Sequence, residues 1–157
     1  ITIIIPRHIH RTQDIINDIQ KLNLKVALHS NKIKTLQNVD IYLVDTFGET
    51  KKFHNLGSSV FLGGSIINKG GQNPLEAART GSRILHGPHT DNFKDIYNLL
   101  KKFKISKKIN SPSELASSIV FKKNKNIGSK IKKMGEKILK ETIKELDFLI
   151  KNEIKKT

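Results

Sequence analysis

The residues best suited to chemistry in this chain gather at four turns, each directly after a short apolar or β-branched run. Pro6-Arg7-His8 follows Thr2–Ile5, and Asp45-Thr46-Phe47-Gly48-Glu49 follows Val39–Val44. Gly63-Gly64-Ser65 follows Ser59–Leu62 and leads through Gly70-Gly71-Gln72 into Asn73-Pro74-Leu75-Glu76, while Gly87-Pro88-His89-Thr90 follows Arg83–His86. An arginine fork can hold two phosphate oxygens. Glycine pairs let a ligand approach the backbone closely, and the amides of a helix start favour an anion. The spacing matches neither the dinucleotide fingerprint nor the P-loop, because no Gly-Lys-Ser/Thr is present. Bland readings stand beside these. Arg7 suits a solvated surface as well as a clamp. Asn73 as N-cap, Pro74 at the first helical position and Glu76 at the third form a capping-box-like start. Ser111-Pro112-Ser113-Glu114 has the same grammar with no glycines before it. On composition alone, Glu76 is equally a cap and a ligand contact.

Other chemistries are harder to place. The chain has no cysteine, so disulfides, thiol nucleophiles, thiolate-bound zinc and iron–sulfur clusters are excluded. Of the six histidines, His8/His10 and His86/His89 are close in sequence but lack a supporting carboxylate pattern, so no metal site is expected. No Ser/His/Asp set follows from spacing. With nine aromatics, mostly at core-like positions, no stacking platform for nucleic acid is visible. The net charge is +15, with 36% hydrophobic residues. It is unevenly placed: residues 1–100 carry 12 basic and 8 acidic side chains, whereas residues 101–157 carry 17 lysines and 6 acids. A solvated lysine-rich face and an anionic partner, such as a headgroup surface or nucleic acid, both fit that tail. The longest apolar runs, such as Ile3-Ile4-Ile5, are far short of the ~20 residues that span a bilayer. Ile1 opens directly into strand-like sequence, without a signal-peptide pattern, and the lack of an initiator Met suggests a piece of a longer chain.

These turns need a scaffold that presents strand ends together. Strand patterns at Thr2–Ile5, Lys25–His29, Val39–Val44, Ser59–Leu62, Arg83–His86 and Ile105–Ile109 alternate with helical patterns. The helices are expected from Thr12, as cap, to about Leu22, and over Gly48–Leu56, Asn73–Thr80, Asp91–Phe103 and Ser111–Phe121. Strands separated by helices predict an α/β, Rossmann-like parallel sheet with helices on both faces, and ligands then sit beyond the strands' carboxyl ends. From about Asn126 the pattern is helix alone. Ile127, Ile131, Met134 and Ile138 form a stripe resumed by Ile143, Leu146, Ile150 and Ile154, with Gly135 marking a kink or break. No boundary is drawn inside the chain, so residues 1–157 are expected to form one domain.

Taken together, the turns closely resemble the C-terminal domain of the Kdo transferases, which move 3-deoxy-D-manno-octulosonic acid (Kdo) from CMP-Kdo onto lipid A precursor. The resembling stretches are Ile5–His8, Leu43–Glu49, Val60–Ser65, Gly70–Glu76 and Gly87–Thr90, in the family's order. The resemblance implies the donor half of a GT-B glycosyltransferase, an α/β domain ending in a long C-terminal helix. It implies that Pro6, Arg7, Phe47, Gly48, Glu49, Asn73, Pro74, Leu75 and Glu76 surround CMP. Gly63, Gly64, Ser65, Gly70, Gly71, Gln72 and His89 are further donor-loop contacts. Gln72, Ala77, Asp91, Ile9 and His10 depart from the family's usual residues, which bears on fine donor contacts.

The same resemblance implies transfer without a metal or cofactor, with CMP-Kdo as donor substrate. The acceptor, lipid A precursor, would meet an N-terminal domain absent from these residues, and the catalytic base would lie there too. The fragment alone is then expected to be inactive. The full-length enzyme would work at the cytoplasmic face of the bacterial inner membrane, in association with its surface and with no nucleic acid partner. Two alternatives stay open: the donor domain of another GT-B nucleotide-sugar transferase, and a basic module binding nucleic acid or membrane surfaces.

Overall fold

In the computed structural model, the structure describes residues 1–154, with side chains described through Asn152. The chain divides into two compact units, residues 1–56 and 57–157. The expected alternation of parallel strands and helices is present, and so is the long C-terminal helix. Among the described residues the strands form two three-stranded parallel sheets, one in each unit, instead of a single continuous sheet.

The first unit runs β1 (Thr2–Ile4), α1 (Thr12–Lys21), β2 (Val26–Leu28), β3 (Ile41–Leu43) and α2 (Thr50–His54). Its sheet has the order β1-β3-β2, with Ile3 and Ala27 both opposite Tyr42. β3 is central, so its alternate residues are covered on both sides: Ile41, Leu43 and the following Val44 are buried. Burying side chains of this size stabilises by about 1.5–3 kcal/mol each. Thr12 does not cap α1 as expected. A 3-10 turn at Ile9–Arg11 precedes the helix, and the Thr12 hydroxyl instead donates to the Ile9 carbonyl at 2.6 Å.

The second unit runs β4 (Ser59–Leu62), α3 (Leu75–Arg79), β5 (Arg83–His86), α4 (Lys94–Lys102), β6 (Ser106–Lys108), α5 (Pro112–Ser118) and α6 (Lys125–Ile154). The order β4-β5-β6 puts Leu62 opposite His86 and His86 opposite Lys108, so three strands end side by side. The core joins Leu62 and Ile84 from the sheet to Ala77 and Ala78 of α3, Tyr97 and Leu100 of α4, and Ile131 of α6. Capping follows residue chemistry. Ser111 Oγ accepts from the Glu114 amide at 3.1 Å, and Asn124 Oδ1 accepts from the Ile127 amide at 3.1 Å.

α6 is one unbroken helix through Gly135, so that glycine marks no break. The Arg79 guanidinium passes over it, and a Cβ there would stand 3.0 Å from Arg79 Nη2. Only the start of the stripe is covered: Ile131 is buried, but Ile138, Ile143, Leu146 and Ile150 are exposed. The last residue of the expected stripe, Ile154, lies outside the residues whose side chains are described. No described helix is long and apolar enough to cross a membrane.

Candidate functional site

In the second unit, the loops after β4 and β5 interlock at the carboxyl ends of the strands. After Leu62, Gly63–Ser65 make one 3-10 turn. Ser65 is fully buried, and its hydroxyl donates to the Leu62 carbonyl at 2.5 Å while accepting from the Gly87 amide at 2.7 Å. The His89 amide donates to the Ser65 carbonyl at 3.0 Å. Further along, the Asn92 amide donates to the Gly70 carbonyl at 3.1 Å. Gly70 and Gly71 both have positive φ (+74° and +78°), and a side chain at Gly70 would overlap the Asn92 carboxamide. Glycine is therefore required at this crossing on both backbone and steric grounds. Gln72 closes the loop: its side chain lies against Gly64, and its carbonyl accepts from the Tyr97 hydroxyl at 3.0 Å.

The chain then enters α3. Asn73 Oδ1 accepts from the Leu75 amide at 3.0 Å and holds the turn into the helix, but the N-cap position falls on Pro74 and not, as expected, on Asn73. Pro74, at the N-cap position, is buried, so its ring is not presented to a ligand. Glu76 is exposed on the first turn, as are Asn73 and Gly63, whereas Gly64, Gly71, Gln72, Leu75 and His89 are half-buried. α3 is only five residues long, so the anion-attracting helix start expected from the sequence is small. The side chain of Ser65, expected at the ligand, is instead turned into the protein and fully occupied there.

Two groups that sequence reasoning passed over hold these loops. Tyr97 is buried against the His86 ring, with centroids 4.4 Å apart. Burial pushes its phenol pKa up to about 12, so it is a neutral donor to Gln72 across the physiological range. Its place in the Phe93, Ile96, Tyr97, Leu100 stripe was the available signal. Asn92 was the other, and nothing in its sequence context points to Gly70.

Burial also lowers the His86 pKa, against a hydrogen bond to the Gly87 carbonyl that raises it and with Lys108 adding to the fall. A folded-state pKa below the unfolded value means the unfolded chain binds more protons. The stability is therefore fully present above about pH 6.5 and is lost as pH falls through the folded value. Thermal midpoints measured from pH 7.5 downward should decline below about pH 6.5, and His86→Gln should flatten that part of the curve. An unchanged slope in His86→Gln would assign the decline to another group.

In the first unit, the turn after β3 is held by Asp45. Its carboxylate accepts from the Ser30 amide at 2.8 Å and the Ser30 hydroxyl at 2.5 Å. Desolvation pushes the Asp45 carboxyl up, but the Ser30 bonds and nearby His29 outweigh it and hold the carboxyl below its usual range. His29 meets the Tyr42 hydroxyl at 2.7 Å and packs edge-on against Phe53. Phe47, the residue expected at a base, is 87% exposed, so its ring face is open for stacking. Glu49 pairs with Lys52 at 2.8 Å, and that bond is the main reason its carboxyl lies below the ordinary value. Gly48 completes this turn, and Arg7 is exposed beside half-buried Pro6 after β1. Among the described residues no group of three or more His, Cys, Asp or Glu is gathered for a metal ion.

In each unit, parallel strands alternate with helices and carry turns at their carboxyl ends, an α/β, Rossmann-like arrangement. Comparison with known proteins narrows this. No family model matches the chain. It is 33% identical over 138 residues to the 3-deoxy-D-manno-octulosonic acid transferase of Rickettsia prowazekii, covering 88% of this chain and 30% of that protein. It is 34% identical over 104 residues to a probable mitochondrial 3-deoxy-D-manno-octulosonic acid transferase of Arabidopsis thaliana, covering 65% of this chain and 23% of that protein. Among solved structures, it matches the C-terminal CMP-Kdo binding domain of WaaA from Acinetobacter baumannii with a TM-score of 0.69 and 26% identity, over 73% of this chain and 60% of that one. This chain is a relative of the Kdo transferases, and it spans 30% of the length of the Rickettsia prowazekii enzyme.

Proposed function

We propose that residues 1–157 serve as the donor-binding part of a GT-B glycosyltransferase that moves Kdo from CMP-Kdo to lipid A precursor. The observation that carries the reading is the likeness, in fold and in sequence, to a CMP-Kdo binding domain. Within the second unit, Glu76 accepts hydrogen bonds from the ribose hydroxyls, and Asn73, Pro74 and Leu75 set the backbone that presents it. The loop from Gly63 to Gln72, with His89, faces the donor. The resemblance assigns Arg7, after Pro6, to the phosphate, Phe47 to cytosine, and the backbone of Gly48 and Glu49 to the base edge. The leaving CMP is stabilised by fixed donors and the guanidinium, an electrostatic arrangement that needs no metal. The acceptor pocket and general base belong to the part of the relatives that this chain does not span. The whole enzyme works at the cytoplasmic face of the inner membrane.

Calorimetric titration of the 157-residue chain with CMP, UDP and GDP tests this reading. CMP is expected to bind in preference to the other two, and the chain alone should transfer no Kdo from CMP-Kdo to a lipid acceptor. Preference for UDP or GDP would point to a different nucleotide-sugar transferase. Salt-sensitive binding to nucleic acid or anionic vesicles that survives both Arg7→Ala and Glu76→Gln, without CMP binding, would replace the reading with a basic surface module.

A further inference from the structure

We propose that Ser65 is a positioning residue for donor binding: it never touches the donor, but it fastens the turn after β4 to the turn after β5 so that both meet the ligand as one surface. The inference rests on the donor-site reading above and adds a residue role to it. Three bonds converge on Ser65. Its hydroxyl donates to the Leu62 carbonyl at 2.5 Å, the Gly87 amide donates to that hydroxyl at 2.7 Å, and the His89 amide donates to its carbonyl at 3.0 Å. The hydroxyl thus has a donor bond within its own turn and an acceptor bond to the neighbouring one. No apolar side chain can supply both.

The fit around this fastening is close. Gly87 is buried, and a Cβ there would lie 2.7 Å from the Ser65 carbonyl carbon and 2.8 Å from Ile66 Cα, nearer than real side chains come. The two turns therefore approach backbone to backbone. Removing the Ser65 hydroxyl leaves the Gly87 amide buried with its partner gone, and such a group is costly to keep dry. The chain is expected to answer by parting the two turns. That moves His89, two residues beyond Gly87, and the Gly63-Gly64 backbone, two residues before Ser65.

A matched serine separates positioning from mere stability. Ser82 is also fully buried, and its hydroxyl donates to the Gly57 carbonyl at 2.7 Å, but it precedes β5 and so lies at the amino end of the strand. CMP affinity by calorimetry and amide exchange by NMR would be measured on the parent chain, Ser65→Ala, Ser65→Cys and Ser82→Ala. Ser65→Ala should weaken CMP by about fivefold or more, the scale of one lost hydrogen bond, and speed exchange at Gly87 and His89 selectively. Ser82→Ala should lower the thermal midpoint comparably yet leave CMP affinity within about twofold, as a change remote from the ligand should. Ser65→Cys retains a donor and an acceptor, both weaker and on a larger sulfur, so it should fall between parent and Ser65→Ala. It carries the comparison alone if Ser65→Ala does not fold. Equal CMP affinity in the parent and Ser65 variants, or equal losses in the Ser65 and Ser82 variants, would overturn the proposal. A parent chain that binds no CMP would sink the donor-site reading instead, and uniform exchange across Ser65→Ala would separately remove the fastening role.

Discussion

Glu76→Gln is expected to weaken CMP binding about 10- to 100-fold, because a hydrogen bond to a charged group is worth about 1.5–3 kcal/mol. The carboxylate can accept from both ribose hydroxyls, whereas the amide keeps one acceptor oxygen and turns an NH2 group toward the other hydroxyl. The same change should weaken 2′-deoxy-CMP much less, since that analogue lacks one proposed partner. Folding should hardly change. Glu76 is exposed, and the first amide of the α3 turn is already bonded to the Asn73 side chain at 3.0 Å. Gln keeps the size and one acceptor oxygen of Glu on this exposed first turn, so the stability cost should stay within about 0.5 kcal/mol. Arg7→Ala should act differently, reducing the preference for CMP over cytidine as the phosphate loses its clamp. If titration shows Glu76→Gln binding CMP as tightly as the parent, Glu76 is only a cap and the donor site is misassigned.

Much of the scaffold was legible because it depends on local pattern. β4 and β5 occupy the expected residues, and the other strands fall inside the expected runs, since short β-branched runs between turns have few alternatives. Helices were read too long where expected boundaries included residues that only flank the turn. Asn73–Thr80 became Leu75–Arg79, and Asp91–Phe103 split into a 3-10 turn and α4. The four turns were found from glycine, proline and charge. Which side chains face outward was not legible, because that depends on partners distant in sequence. Ser65 looked like a ligand residue until its bond to Gly87, 22 residues on, was seen. Tyr97 carries no signal of its own in the sequence, yet it is core and its hydroxyl holds Gln72 from 25 residues away. The stripe of α6 is a helix face, as its spacing predicts, but periodicity carries no information about what lies opposite and so does not say where its cover ends.

Gly128→Val should destabilise the second unit by about 1–3 kcal/mol, although the same helix should tolerate or welcome Gly135→Ala. Helical propensity alone would favour replacing either glycine, by up to ~1 kcal/mol for alanine. The neighbours decide the sign. A Cβ at Gly128 would stand 2.6 Å from the Gly81 nitrogen and 2.9 Å from the Arg79 carbonyl oxygen, both backbone atoms that cannot swing aside. Gly81 itself has φ +81° and accepts from the Asn124 amide at 2.8 Å, so the end of α3 and the start of α6 are fixed against each other. Side-chain volume there must lever α6 away and uncover Ile131. At Gly135 the nearest atom is the Arg79 Nη2 at 3.0 Å, the far end of an exposed, flexible side chain. It can move into solvent at little cost, leaving the propensity gain of roughly 0.5–1 kcal/mol. Urea unfolding of the two variants against the parent reads both signs at once. A stable Gly128→Val would mean that α6 does not pack on the end of α3, and a destabilised Gly135→Ala would mean that the Arg79 guanidinium is held over the helix by more than contact.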